Sequence, residues 1–105
     1  MNERFLPEWL ILWIWRALLG EIYPEIRAIA VRFTKEKEFT IRYYLDRNPT
    51  EYDYDSLSCV VTNILSNTST NDEIRAVNEE VIFSQDVIRD LEILDGLIYA
   101  RREYS

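Results

Sequence analysis

The chain has 105 residues, which is enough for one domain with a single hydrophobic core and too few for two. Hydrophobic residues make up 48% of it and there are only two glycines and three prolines, a composition that excludes a disordered chain. Twelve basic and nineteen acidic residues give a net charge of −7, which excludes nucleic acid as a natural partner for most of the surface.

The residue types that most catalytic and metal sites require are scarce. There is no histidine and one cysteine, which excludes a Ser-His or Cys-His dyad, a histidine metal site, a zinc–thiolate cluster and an internal disulfide. The two glycines, Gly20 and Gly96, cannot form a glycine-rich phosphate loop. We therefore predict that the protein is not an enzyme and uses no metal or cofactor. The alternative is an enzyme that works with carboxylates and arginines alone.

The lone cysteine, Cys59, lies in the apolar stretch 57–61. This position predicts a buried or half-buried side chain that behaves as a small hydrophobic residue. Because the sequence carries no disulfide framework, we expect a cytoplasmic location.

The first predicted element is a helix over residues 7–19, with Pro7 at its first position and Gly20 just past its end. Its unbroken apolar run, 9–15, is too short to cross a membrane, which takes about 20 residues. One apolar stripe at helical spacing is predicted to pack on a sheet, and it consists of Phe5, Leu6, Trp9, Leu10, Trp13, Ile14 and Ala17.

Four apolar side chains of this helix fall outside that stripe: Ile11, Leu12, Trp15 and Leu19. A domain of this size cannot easily bury every side of one helix. We therefore predict that these four residues meet a neighbour, as a self-association face between two copies or as a partner surface.

Alternation with a period of two predicts an antiparallel hairpin after Pro24, with the polar turn 34–37 between its strands. One face of the hairpin is predicted to be core and the other half polar. In the first strand, one alternating set is Arg27, Ile29, Val31 and Phe33 and the other is Ala28, Ala30 and Arg32. In the second strand, one set is Phe39, Ile41, Tyr43 and Leu45 and the other is Thr40, Arg42, Tyr44 and Asp46. A helix follows, with Thr50 and Asp53 spaced as in a capping box. Its predicted core stripe is Leu57, Val60, Val61, Ile64 and Leu65.

The rest of the chain predicts a third strand over roughly 73–83, an acidic loop or short helix over 84–95, and a final strand over 97–104. The fold class is α+β, with order αββαββ: a four-stranded antiparallel sheet with two helices packed on one face, in a single domain over residues 1–105. The chain contains the same four-residue segment twice, as Glu25-Ile26-Arg27-Ala28 and as Glu73-Ile74-Arg75-Ala76. This repeat suggests a weak αββ duplication, with halves 1–48 and 49–105.

The densest group of acidic residues is the segment Glu51-Tyr52-Asp53-Tyr54-Asp55. Acidic residues favour the positive end of a helix dipole, so a solvated helix start is one interpretation. The other is a protein-binding surface, because tyrosines supply rigid contact area and carboxylates pair with Lys and Arg of a basic partner. We name these five residues as candidate partner-binding residues, with Asp86 and Asp90 of the acidic segment as further candidates. A metal or catalytic site is the minor alternative.

Two arginines near the end of the chain, Arg101 and Arg102, would suggest phosphate contact in a less acidic protein. Here the negative charge favours cross-strand ion pairs with Asp46 or Glu79.

Three blocks of the sequence resemble small bacterial immunity proteins: residues 18–28 (LLGEIYPEIRA), 41–50 (IRYYLDRNPT) and 94–103 (LDGLIYARRE). These proteins accompany colicin-type or contact-dependent growth inhibition toxins. The resemblance implies a small, acidic, cytoplasmic protein that binds a cognate toxin domain. It carries over no list of functional residues, because the group is extremely diverse.

The predicted function is therefore that of an immunity protein, which neutralises a toxin by stoichiometric binding. A basic nuclease domain is the expected partner, since an acidic protein is suited to cover a nucleic-acid site. Neither nucleic acid nor a membrane is expected as a partner. The alternative is a small homodimeric structural or regulatory protein that associates through its first helix.

Overall fold

A computed structural model of the chain describes residues 6–66 and 74–102. Its elements are α1 (Glu8–Leu18), β1 (Ile26–Phe33), β2 (Glu38–Leu45), α2 (Glu51–Ser66), β3 (Ala76–Phe83), a short 3-10 helix (Ile88–Asp90) and β4 (Gly96–Ala100). The predicted order αββαββ is confirmed. Phe5, Glu73 and the predicted end of the last strand at Tyr104 lie outside the described residues.

A proline and a glycine mark the two ends of helix α1. Pro7 immediately precedes the helix, and its carbonyl accepts the backbone N–H of Ile11 at 3.1 Å. Gly20 has a φ of +79°, in the left-handed region where a side chain is unfavourable, and it turns the chain away from the helix axis. In the described ranges, no helix is long and apolar enough to cross a membrane.

The sheet is mixed, with strand order β3-β2-β1-β4. Strand β1 pairs antiparallel with β2 and with β4, but β3 pairs parallel to β2, with Leu45 opposite Phe83. The prediction of an entirely antiparallel sheet was therefore wrong. The physical reason is α2: its 16 residues carry the chain back along the sheet by about 24 Å, so β3 starts at the end where β2 started.

Both helices pack on the same face of the sheet, as predicted. The buried residues of this layer come from α1, α2, β1, β2, β3 and the residues just before β3: Leu10, Ile14, Ala17, Leu18, Ile26, Ile29, Val31, Phe39, Ile41, Tyr43, Leu45, Leu57, Val60, Val61, Ile64, Ile74 and Val81. Trp9 and Trp13 are partly buried beside them, and the Trp9 ring meets Phe33 edge-on at a centroid distance of 5.8 Å.

The opposite face of the sheet has a smaller core of its own. Leu91 and Leu94, from the segment between β3 and β4, pack there against Ala28, Ala30 and Tyr44. The Asp95 carboxylate accepts the backbone N–H of Phe33 at 2.9 Å and so fastens the end of this segment to β1. The acidic segment is therefore a cover for the sheet, with one 3-10 turn in it.

Three side-chain placements differ from expectation. A register shift between Ile26 and Ala28 makes Arg27 an extra residue in β1, and its guanidinium donates to the Ser84 carbonyl at 2.7 Å instead of continuing the alternation. Cys59 is exposed, because it lies one residue, about 100° of helix rotation, from the buried Val60. Leu65, the last member of the predicted stripe, is 38% exposed.

Strands β3 and β4 lie at opposite edges of the sheet, whereas β1 and β2 pair with each other. The two halves therefore share an element order without sharing a pairing pattern. The proposed duplication and its boundary stay a prediction.

Candidate functional site

The candidate partner-binding segment begins α2 at one end of the sheet. The register brings Ile26, Leu45 and Phe83 side by side, so β1 begins where β2 and β3 end. The chain leaves β2 at Leu45, turns through Asn48 and Pro49, and enters α2 at Glu51. The start of α2 is thus held at the end of three neighbouring strands.

Asp53 is the anchor of this region, and its side chain is 0% exposed. Arg47 binds it with two nitrogens, at 2.6 and 3.0 Å, and the Tyr23 hydroxyl donates to it at 2.6 Å. The Thr50 backbone N–H donates to the same carboxylate at 2.7 Å, and the Thr50 hydroxyl does so at 3.0 Å. One half of the predicted capping box is confirmed, the bond from the Thr50 N–H to the Asp53 carboxylate. The other half is absent, because the Asp53 N–H donates to the Thr50 backbone carbonyl and not to its hydroxyl. The sequence had not indicated the roles of Tyr23 and Arg47.

These contacts fix the protonation states of the group. Burial alone would raise the pKa of the Asp53 carboxyl, but hydrogen bonds from Arg47, Tyr23 and Thr50 outweigh burial and hold that pKa well below its usual range. Burial and the hydrogen bond to Asp53 raise the pKa of the Tyr23 phenol. Asp53 is consequently a buried, paired anion. It holds α2 in place and presents no charge for a partner.

The other four residues of the segment lie on the surface. Glu51 and Asp55 are exposed, Tyr52 is 62% exposed and Tyr54 is 48% exposed. The Tyr52 ring meets the Tyr23 ring nearly edge-on, at a centroid distance of 5.3 Å. Since Tyr23 also binds Asp53, this contact ties the exposed Tyr52 ring to the buried anchor.

A shallow groove runs beside these residues on the outer side of α2. Its volume is about 520 Å³, and its lining is Glu21, Asp55, Ser58, Cys59, Thr62 and Asn63. Two carboxylates line this groove together with hydroxyl and amide groups, so its charge is negative.

The two acidic candidates of segment 84–95, Asp86 and Asp90, lie in different parts of the fold. Asp86 is near the same end of the sheet as Glu51, since its backbone N–H binds Ser84, whose own N–H donates to the Leu45 carbonyl at 3.1 Å. Asp90 ends the 3-10 helix and is carried by the segment that covers the face opposite the helices. Both are exposed.

The predicted self-association residues are at the surface of α1 to different degrees. Leu12, Trp15 and Leu19 are 50%, 44% and 77% exposed, and Ile11 is half-buried. They lie on the helix layer, away from the segment that covers the opposite face.

Two ion-pair groups lie around the sheet. Arg101 binds Asp46 at 2.8 Å, as predicted, and donates to the Pro24 carbonyl at 2.6 Å. Arg42 binds Glu80 at 2.6 Å and Glu92 at 3.1 Å, and Arg32 lies 3.8 Å from the Glu92 carboxylate. This group was not predicted, because its four members are far apart in sequence. Over residues 6–66 and 74–102, no three acidic or cysteine side chains come together as metal ligands.

Comparison with known families identifies the chain. No curated protein matches the sequence. A family model described as MafI2 immunity protein matches residues 7–103, a span that includes α1, the sheet and the α2 start. The resemblance to bacterial immunity proteins is thereby confirmed, and the chain belongs to the MafI2 immunity protein family.

Proposed function

We propose that this protein neutralises a cognate toxin domain by stoichiometric binding in the cytoplasm, without catalysis, and that the toxin is a nuclease with a basic surface. Membership of an immunity protein family supports the toxin as partner. The nuclease and the mode of binding rest on the charge and shape of this chain.

The observation that carries the proposal is the surplus of exposed acid at a rigid helix start. Asp53 is sufficient to anchor the start of α2, since its carboxylate accepts the Thr50 N–H and forms an ion pair with the Arg47 guanidinium. Glu51 and Asp55 are one helical turn apart on the exposed side of α2, and neither anchors the helix start as Asp53 does. Carboxylates held in this way suit the Lys and Arg side chains with which nucleases bind phosphate.

A titration of the cognate toxin domain, which we expect to be encoded directly upstream of this gene, tests the proposal. Glu51→Ala and Asp55→Ala should each cost about 2–5 kcal/mol of binding free energy if their carboxylates meet desolvated arginine or lysine. Tyr52→Ala should weaken binding as well, because it removes an exposed aromatic ring. Isothermal titration calorimetry measures all three, after melting temperatures have shown that the variants fold.

Glu36→Ala is the matched control, because Glu36 is an equally exposed acid in the turn at the other end of the β1–β2 hairpin. Its affinity should equal that of the wild type. Wild-type affinity in all four variants would place the interface elsewhere, with the acidic loop from Asp86 to Asp95 as the next region to test. Failure of the wild type to protect cells from the toxin would refute the immunity function itself.

A second proposal concerns α1, where exposed Leu12, Trp15 and Leu19 form an apolar surface. We propose that this surface joins two copies of the chain.

A further inference from the structure

We propose that the free edge of β3 accepts an extended, basic segment of the toxin domain as an additional strand. The inference rests on the proposed function and deepens it, since it names a surface and a mode of recognition that the acidic α2 start does not provide.

The register of this edge strand is regular. Among the described residues, β3 pairs only with β2, and the register from Ala76 to Phe83 runs over eight residues without a shift. It contains no proline or lysine, two of the residues that commonly protect an edge strand. The opposite edge, β4, is five residues long, its pairing with β1 is shifted, and arginines follow it. Of the two edges, β3 is the better template for another strand.

The backbone groups that would bind the added strand can be assigned. The Ser84 N–H donates to the Leu45 carbonyl, so Ser84 turns its backbone toward β2. Backbone direction alternates along a strand together with the side chains, so Val77, Glu79 and Val81 turn their N–H and C=O groups outward. These groups are what a partner strand would contact.

The side of α2 above this edge supplies side-chain contacts. The Ser58 hydroxyl donates to Glu79 at 2.7 Å, which shows that this side of the helix faces β3. Tyr54 and Leu65 are four residues before and seven after Ser58, so they lie on the same side, and both are exposed. Phe83, at the end of β3, is 36% exposed. An added strand would lie beside these three apolar groups.

Charge selects a basic occupant over a second copy of the chain. Two copies of β3 paired antiparallel over seven of its eight residues, 76–82 or 77–83, would place Glu79 opposite Glu79 or Glu80 opposite Glu80, and such like-charge pairs are unfavourable. Lys or Arg on a partner strand would instead meet Glu79, whose carboxylate has the Ser58 hydroxyl as its partner. A basic segment of the toxin would supply such a Lys or Arg.

The experiment compares Glu79→Pro with Glu79→Ala in titrations with the cognate toxin domain. Both variants remove the carboxylate, but only proline removes the outward N–H, and an outward N–H is where an edge strand tolerates proline. We expect proline to weaken binding by at least tenfold more than alanine does, with similar melting temperatures. Equal affinities for the two variants would overturn the proposal.

Hydrogen–deuterium exchange on the wild-type protein tests the same proposal without a variant, and it replaces the titration if Glu79→Pro does not fold. The amides of Val77, Glu79 and Val81 should become protected when the toxin domain is added. Binding without new protection there would overturn this inference and leave the immunity function intact, whereas absence of any binding would overturn both. Protection that appears in the free protein as its concentration rises would show a second copy at this edge and would also refute the proposal.

Discussion

Asp53 is an acidic residue that stabilises the fold and adds no charge to the protein surface. It is fully buried, and its five hydrogen bonds join α2 to the turn that precedes it and to Tyr23. Sequence spacing gave the bond to Thr50, because capping motifs are local. Tyr23 is thirty residues away, and nothing local predicts such a contact.

The protonation of Asp53 should make folding stability fall at low pH. Because its folded-state pKa is lowered, the unfolded chain takes up the proton first as the pH drops. The stabilisation is complete above the ordinary carboxyl pKa of about 4 and is lost as the pH falls below it. Asp53→Asn should cost about 2–3 kcal/mol at pH 7, less than a fully buried pair would, since Arg47 is partly exposed.

Urea unfolding at pH 7, 4 and 3 measures this effect. The difference between Asp53→Asn and the wild type should narrow below pH 4. Asp46→Asn is the control: Asp46 also pairs with an arginine, but this pair is exposed and should contribute less than about 1 kcal/mol. A difference for Asp53→Asn that is the same at every pH would refute the explanation.

The two glycines give a second test at the level of single residues. Gly20→Ala should destabilise the protein by about 1–2 kcal/mol, because its φ of +79° strains any residue with a Cβ, although nothing lies within 4 Å of the added atom. Gly96→Ala meets only an ordinary contact, 3.9 Å from Leu6, and should change stability little. Thermal unfolding of both variants checks the pair. Equal effects would show that backbone strain at Gly20 is not the cause.

Among the elements, the helices and the hairpin follow from the sequence more directly than the direction of β3 does. Apolar spacing gave α1, α2, β1 and β2 because periodicity is a property of each element alone. The same alternation suits a parallel or an antiparallel strand, so β3 could be located but not oriented by its own pattern. The helix between β2 and β3 was the available signal, since parallel neighbours need such a crossover.

Helix α1 should make the protein self-associate. Burying Leu12, Trp15 and Leu19 against a second copy removes apolar surface worth several kcal/mol at about 25 cal/mol per Å², before the cost of association. Sedimentation velocity at tens of micromolar should show a dimer for the wild type and a monomer for Trp15→Glu. Trp9→Phe, at a partly buried position of the same helix, is the control and should remain dimeric. A monomeric wild type would reject this interface.

At the scale of the whole molecule, the net charge of −7 should set the rate of toxin capture. Attraction between this surface and a basic domain raises the association rate at low salt. We expect the rate constant to fall by about tenfold or more between 50 and 500 mM NaCl, with little change in dissociation. Stopped-flow fluorescence measures both rates. An association rate that does not depend on salt would show that long-range charge plays no part.

The candidate site was foreseen in part. The sequence located a cluster of acids and tyrosines at a helix start, since that cluster is contiguous. It could not assign one acid, Asp53, to the interior and Glu51 and Asp55 to the surface, because that division depends on Tyr23 and Arg47. The open edge of β3 is a property of the assembled sheet, and it emerges only when all four strands have been ordered.

The strand order β3-β2-β1-β4 also implies a sequence of assembly. Only the β1–β2 hairpin joins neighbouring segments through a short turn, so its loop closes at the lowest entropic cost. Strand β3 can dock only after the chain has passed through α2, and β4 must return to β1 from the far end of the sequence. We therefore expect the sheet to grow outward from its centre, so that the β3 edge is completed late, on a platform that is already formed.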